Sequence, residues 1–212
     1  MLAAKTNDAV FWEVDTQADF MLPGGKLYVP GAEKRIFNMQ RLVDAARAGK
    51  VFLVSSADQH APNDPEFARF PPHCIRGTNG AKTLAELKTP RILAVPNDKK
   101  FQFPAGTDQF QQVMLEKQTL DVFDNPNTEK LLKQFPVTSE FVVFGVVTEL
   151  CVRLAAKGLL DRGRRVTIVT DAIETLDARE GRRTLEELSS RGARLITTSE
   201  ALALVDFSAD HA

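Results

Sequence analysis

Phe141-Val142-Val143-Phe144-Gly145-Val146-Val147-Thr148-Glu149-Leu150-Cys151-Val152-Arg153 is the stretch whose reading decides the fold. Its first four residues are apolar without alternation, the pattern of a parallel strand buried on both faces. Thr148 is a good helix cap, and Glu149 suits the positive end of a helix dipole. Helical spacing then runs over 150–160, with Gly163 beyond it. The stretch predicts strand, turn and helix, with Cys151 at N3 in the first helical turn. Unpaired N–H groups there favour a thiolate and can stabilise an oxyanion. A small buried residue filling a strand–helix junction is the plainer reading of the same cysteine.

The same alternation recurs on both sides. Buried strands are expected at 8–14, 51–56, 113–117, 165–170 and 193–197. Helices are expected at 32–48, 128–135 and 178–191, with Ser199 capping a terminal helix. The segment 76–87 holds a glycine turn and a short helix, and 91–96 with 100–103 suggests a small hairpin. This order predicts an α/β fold with a parallel sheet, right-handed crossovers and helices on both faces. No linker interrupts it, so residues 1–212 read as one domain, long enough for a full core. A net charge of −1 provides neither a nucleic-acid stripe nor a membrane-binding face. No apolar run approaches about 18 residues, and the first residues lack a secretory pattern. Two cysteines are too few for a disulfide framework, which favours the cytoplasm. The polar residues at each end are expected to be disordered.

Open sheets of this kind build their sites at the carboxyl ends of strands. Asp15 ends the first strand and leads into Thr16-Gln17-Ala18-Asp19-Phe20 and the glycine-rich turn 22–27. An aspartate capping that turn is an equally good reading. After the second strand comes Asp58-Gln59-His60, and Phe70-Pro71-Pro72-His73-Cys74 closes the loop, with Glu66 between. Two of the three histidines lie in this loop. Asp58 and His60, two apart, share one side of an extended segment. With His73 and Glu66 they make a mixed N/O set suited to one divalent ion, Zn, Fe or Mn. A surface loop whose histidines merely hydrogen-bond is the alternative. Cys74 reads as packing. Lys117 ends a buried strand, an unusual place for a lysine. On one rim, Asp15, Lys117 and Cys151 would then meet. Two histidines are committed to the loop and His211 lies in the tail, so Asp15 is the natural base for a cysteine nucleophile.

Four motifs now resemble one family in its own order: Asp15–Phe20 with the Pro23-Gly24-Gly25 turn, Asp58-Gln59-His60 with Pro71-Pro72-His73-Cys74, the strand-end Lys117, and Gly145–Val152. The sequence resembles the nicotinamidase and isochorismatase-like cysteine hydrolases. The resemblance implies a three-layer α/β/α sandwich around a six-stranded parallel sheet. It implies an Asp15–Lys117–Cys151 triad and a thioester intermediate. The backbone N–H groups of Val147 and Cys151 would form the oxyanion hole, with a cis Val146–Val147 peptide. Asp58, His60 and His73, with Glu66 as a fourth ligand, would hold a metal that binds a pyridine nitrogen. Phe20 and Phe70 would wall the ring. The expected reaction is nicotinamide to nicotinate plus ammonia, a step of NAD salvage. Another small amide, an N-carbamoyl compound or a ureide, is the alternative. Two further readings are a hydrolase whose metal activates water and a binding subunit that retains the fold. Monomer and homo-oligomer are both open. Gln59 and Phe70 stand where the family commonly has tryptophan, Glu149 where it has aspartate, and 74–117 is longer than in compact members.

Overall fold

The computed structural model describes residues 9–206, so Asp8 and His211 lie outside the described residues. Seven strands form one sheet: β1 (Ala9–Val14), β2 (Phe52–Asp58), β3 (Ile92–Val95), β4 (Gln112–Lys117), β5 (Glu140–Gly145), β6 (Arg165–Ile173) and β7 (Arg194–Ile196). Their order is β3-β4-β2-β1-β5-β6-β7, and every pairing is parallel. The chain starts in the middle, builds outward on one side, and crosses back at β5. That reversal beside β1 is where a crevice opens at the carboxyl ends of the strands.

Alternation of side chains along β1 divides the core. Val10, Trp12 and Val14 point into the layer of α3 (Pro126–Leu132), α4 (Arg153–Asp161) and α5 (Ala178–Ser190). Phe11 points into the layer of α2 (Ile36–Arg47) and α6 (Thr198–Asp206), where Met39, Leu42, Val43 and Ala46 supply the apolar face of α2. Trp12 lies between Phe123 and Phe141, with ring centroids 6.3 and 5.8 Å away. A short α1 (Ala18–Met21) follows β1 directly. No helix among the described residues is long and apolar enough to cross a membrane.

The sheet has seven strands where six were expected. The difference is β3, which pairs in parallel with β4 instead of forming a hairpin with 100–103. Gln112 decides this: its side-chain oxygen accepts from the Thr89 N–H at 2.9 Å, which draws the incoming chain alongside β4. The segment after β3 is held as a turn by α3. Asn127 donates to the carbonyls of Pro96 and Asp98, and Lys130 to those of Lys99 and Phe101. At the last helix, Thr197 is the cap in place of Ser199. It exchanges hydrogen bonds with Glu200, a capping box.

Glu13 is fully buried near the carboxyl end of the central strand. Thr16 donates its hydroxyl to one oxygen at 2.6 Å and Gln112 its amide to the other at 3.2 Å. Burial outweighs these bonds and raises its pKa from 4.5 to about 8. Between those values the unfolded chain releases a proton that the folded chain keeps, so this group lowers stability as pH rises, by at most about 1.4 kcal/mol per pH unit. Denaturant titrations between pH 5 and 8 should therefore show a shallower loss of stability with pH for Glu13→Gln than for the parent. Parallel profiles would place the ionised form in the core.

Candidate active site

Four strand ends supply the site. Asp15 follows β1, Asp58 ends β2, Lys117 ends β4, and the chain leaving β5 carries Cys151. The register of the sheet sets Asp58 directly opposite Lys117. Lys117 is 1% exposed, and its ammonium lies 2.9 Å from Asp15 Oδ2 and 3.8 Å from Cys151 Sγ. It also donates to Asp58 Oδ1, and to the Thr119 carbonyl at 3.0 Å. The three residues expected to meet do meet, and a second carboxylate shares the same ammonium.

Asp15 has φ +51°, a left-handed conformation uncommon for a residue with a side chain. Its neighbours hold it there. The Asp15 N–H donates to the Ser56 carbonyl at 3.2 Å, and the Ser56 hydroxyl donates to Asp15 Oδ1 at 2.7 Å. Asp58 is braced from the segment after β1 as well: Gln17 donates to its carbonyl at 2.6 Å and accepts from its N–H at 2.8 Å. Ser56 and Gln17 had no assigned role in the sequence, although Gln17 stands inside the first motif. At Gly145, φ is +123° and a Cβ would lie 2.1 Å from the Val14 carbonyl oxygen, so glycine is required where β5 passes β1.

The Val146–Val147 peptide is cis, as expected, but the turn that follows differs in detail from expectation. Thr148–Val152 forms a wide π-helical turn, and α4 begins only at Arg153. Thr148 is not a helix cap: its N–H and hydroxyl both donate to the Glu174 carbonyl, at 2.8 Å each. Cys151 is therefore not at N3 of a regular helix. Glu149 does not serve the helix dipole alone; its carboxylate accepts from Thr175 Oγ1 and from the N–H groups of Leu176 and Asp177. These contacts seat Leu176 at the mouth of a cavity of about 410 Å³. Phe20, Phe70, His73, Val147 and Leu150 line it, with Cys151 among them.

Burial pushes the Cys151 thiol well above its ordinary pKa. Lys117 opposes the rise, and the nearby carboxylates of Asp15 and Asp58 add to it. Burial thus disfavours the thiolate that a helix N-terminus would favour. Burial also raises Asp15, against the pull of Lys117. For Lys117 burial works against the charge, but Asp15 and Asp58 outweigh it and hold the ammonium protonated. Asp58 is likewise buried, and Lys117 with His60 and His73 keeps it ionised.

Beside this group, one ligand atom each from Asp58, His60 and His73 lies within 4.8 Å of the others. Asp58 Oδ2 is 3.6 Å from Nε2 of both histidines. Glu66 Oε2 is 3.4 Å from His60 Nε2. Both of those last atoms are buried without a hydrogen-bond partner. Buried lone-pair-bearing atoms, left unpaired and convergent, are what a divalent cation would satisfy. The residues thus fit a metal, with Glu66 at the margin of the cluster. Phe20 and Phe70 flank His73 with ring centroids 5.6 and 6.4 Å away.

A parallel α/β sandwich with a buried cysteine, lysine and carboxylates at its strand ends defines a hydrolase class, and comparison with known proteins agrees. The isochorismatase domain matches residues 13–200, and the chain belongs to the isochorismatase family. The nicotinamidase of Escherichia coli is 25% identical over 88% of this chain and 93% of its own length. The nicotinamidase/pyrazinamidase of Mycobacterium tuberculosis is 28% identical over 88% of this chain and 97% of its own. The crystal structure of the pyrazinamidase of Pyrococcus horikoshii in complex with zinc is 26% identical, covers 90% of this chain and 99% of its own, and superposes with a TM-score of 0.74. The protein is an amide hydrolase of this family.

Because Lys117 lowers the Cys151 pKa, Lys117→Met should slow alkylation of Cys151 by iodoacetamide at fixed pH and move its pH profile upward. Peptide mass spectrometry distinguishes Cys151 from the fully buried Cys74. An unchanged profile would mean that the ammonium does not act on the sulfur.

Proposed function

We propose that the protein hydrolyses nicotinamide, or a close heteroaromatic amide, to the acid and ammonia, with Cys151 as nucleophile. The observation that carries this is the buried ammonium of Lys117 between Asp15 and the Cys151 sulfur, opening on an aromatic-walled cavity. A thiol whose pKa is raised by burial needs a base at the moment of attack, and Asp15, itself raised, is suited to accept and return a proton. Asp15 takes the thiol proton as Sγ attacks the amide carbon. The backbone N–H groups of Val147 and Cys151 receive the oxyanion. The C–N bond then breaks, Asp15 gives the proton to the departing nitrogen, and ammonia leaves a thioester on Cys151. Asp15 next takes a proton from water, whose oxygen attacks the thioester carbon. The acid is released and Sγ regains its proton. Lys117 stays charged throughout and holds Asp15 in place.

Asp58, His60 and His73, with Glu66, would hold the divalent ion. Once bound, that ion would supply a coordination position for a ring nitrogen. Phe20 and Phe70 wall the ring on either side of His73, and Leu176 closes the mouth. Zinc stands first among the candidate metals because the Pyrococcus horikoshii relative carries it. Both cysteines are free thiols, which accords with a reducing cytoplasm, and the proposed reaction would belong to NAD salvage. We take the whole chain as one domain.

Cys151→Ala should lower kcat/KM for ammonia release from nicotinamide by about four orders of magnitude or more while metal content stays at the parent level. Activity that survives this substitution but disappears on chelation would point instead to metal-activated water. Chelation of the parent protein should raise KM for the pyridine amide and leave the alkylation rate of Cys151 within about twofold.

A further inference from the structure

Resting on the metal reading above, we propose that Asp64 positions two of the metal ligands at once: one carboxylate oxygen orients His60 and the other fixes the turn that presents Glu66. His60 is completely buried, and its two ring nitrogens face different groups. Nε2 faces the cluster, 3.6 Å from Asp58 Oδ2 and 3.4 Å from Glu66 Oε2. Nδ1 faces away from it, 3.1 Å from Asp64 Oδ2. A neutral imidazole carries one N–H, and a proton on Nδ1 held toward Asp64 leaves the Nε2 lone pair turned inward. The contact is close but bent away from a linear hydrogen bond, since Nδ1 has no partner of good angle.

His73 is arranged in the same sense by a different acceptor. Its Nδ1 lies 2.8 Å from the Pro71 carbonyl, and its Nε2 lies 3.6 Å from Asp58 Oδ2. A backbone carbonyl can only accept, so the His73 ring presents Nε2 to the cluster. For His60 no carbonyl fills that place, and the carboxylate of Asp64 does. Ligand histidines are ordinarily held by such an outer acceptor, which sets the tautomer and raises the basicity of the ligating nitrogen.

The second oxygen of Asp64 has separate work. Oδ1 accepts from the Glu66 N–H at 3.0 Å, and the Asp64 carbonyl accepts from the Phe67 N–H at 3.1 Å. These bonds start the 3-10 turn Pro65–Ala68. Glu66 therefore reaches His60 from a turn that Asp64 itself begins. Among the described residues no lysine or arginine pairs with Asp64, and its side chain is only 9% exposed. A single carboxylate in a proline-rich surface loop thus couples the orientation of one ligand to the position of another.

The substitutions Asp64→Ser, Asp64→Asn and Asp64→Ala separate the two oxygens. Serine can still cap the turn but is too short to reach His60, asparagine keeps an acceptor without the charge, and alanine has neither. Zinc affinity of the metal-stripped protein is measured by chelator competition, with the stability of the stripped protein recorded in parallel. The proposal expects zinc affinity about ten- to a hundredfold weaker for serine and alanine, with asparagine between them and the parent. The stability of the stripped serine variant should stay close to that of the parent. Parent-like zinc affinity in Asp64→Ser would overturn the proposal, leaving Asp64 as a turn cap. So would a loss of affinity matched by an equal loss of stability in the stripped serine variant. A parent protein that binds no zinc would sink the metal reading as well, which separates the two failures.

Discussion

A fully buried ammonium is the constraint on which the site depends. Lys117 has been taken out of water at the end of β4, and a buried cation is tolerable only if charge and hydrogen bonds replace its hydration. Asp15, Asp58 and the Thr119 carbonyl do so, each from a different place in the chain. Removing the ammonium would leave both carboxylates without their shared counter-charge in the interior, and an uncompensated buried charge typically costs about 3–5 kcal/mol. The same arrangement joins two chemical functions. Through Asp15 the ammonium belongs to the cysteine, and through Asp58 to the cluster of histidines.

The surrounding backbone is shaped to this end. Asp15 takes a left-handed conformation held by Ser56, Gly145 lets β5 pass close to β1, and Gln17 ties the segment after β1 to the end of β2 by two hydrogen bonds. Such strained or close-packed positions persist where the surroundings over-determine them. Low polarity has a second effect. Burial raises the Cys151 thiol and Asp15 together, disfavouring the charged form of each.

Much of this was legible in the sequence. Continuous apolar runs ending in Asp15, Lys117 and the Gly145 turn marked buried strands with polar ends, and side chains of that kind converge in a parallel sheet. Asp58, His60 and His73 were legible from ligand type and spacing. Less so were features set by partners far along the chain. Thr148 looked like a helix cap, but Glu174 offers its carbonyl to the threonine. Glu149 looked like a dipole partner, yet the chain at 175–177 takes its carboxylate. The strand at 92–95 looked like half of a hairpin until Gln112 claimed the residues before it. Local propensity is a weak prior, and tertiary hydrogen bonds overrode it at each of these points.

What the sequence by itself determined is the alternation of strand and helix and the kinds of side chain placed at the strand ends, because burial periodicity is written residue by residue. Which of those side chains touch was decided only by the tertiary structure. Strand order places β1 beside β2 and β5, and register sets Asp58 across from Lys117. A shift of one residue in that pairing would turn the lysine to the other face of the sheet. Sharing of one ammonium by two carboxylates, and the raised pKa of the thiol beside it, follow from distance and burial, which exist only once the strands have assembled.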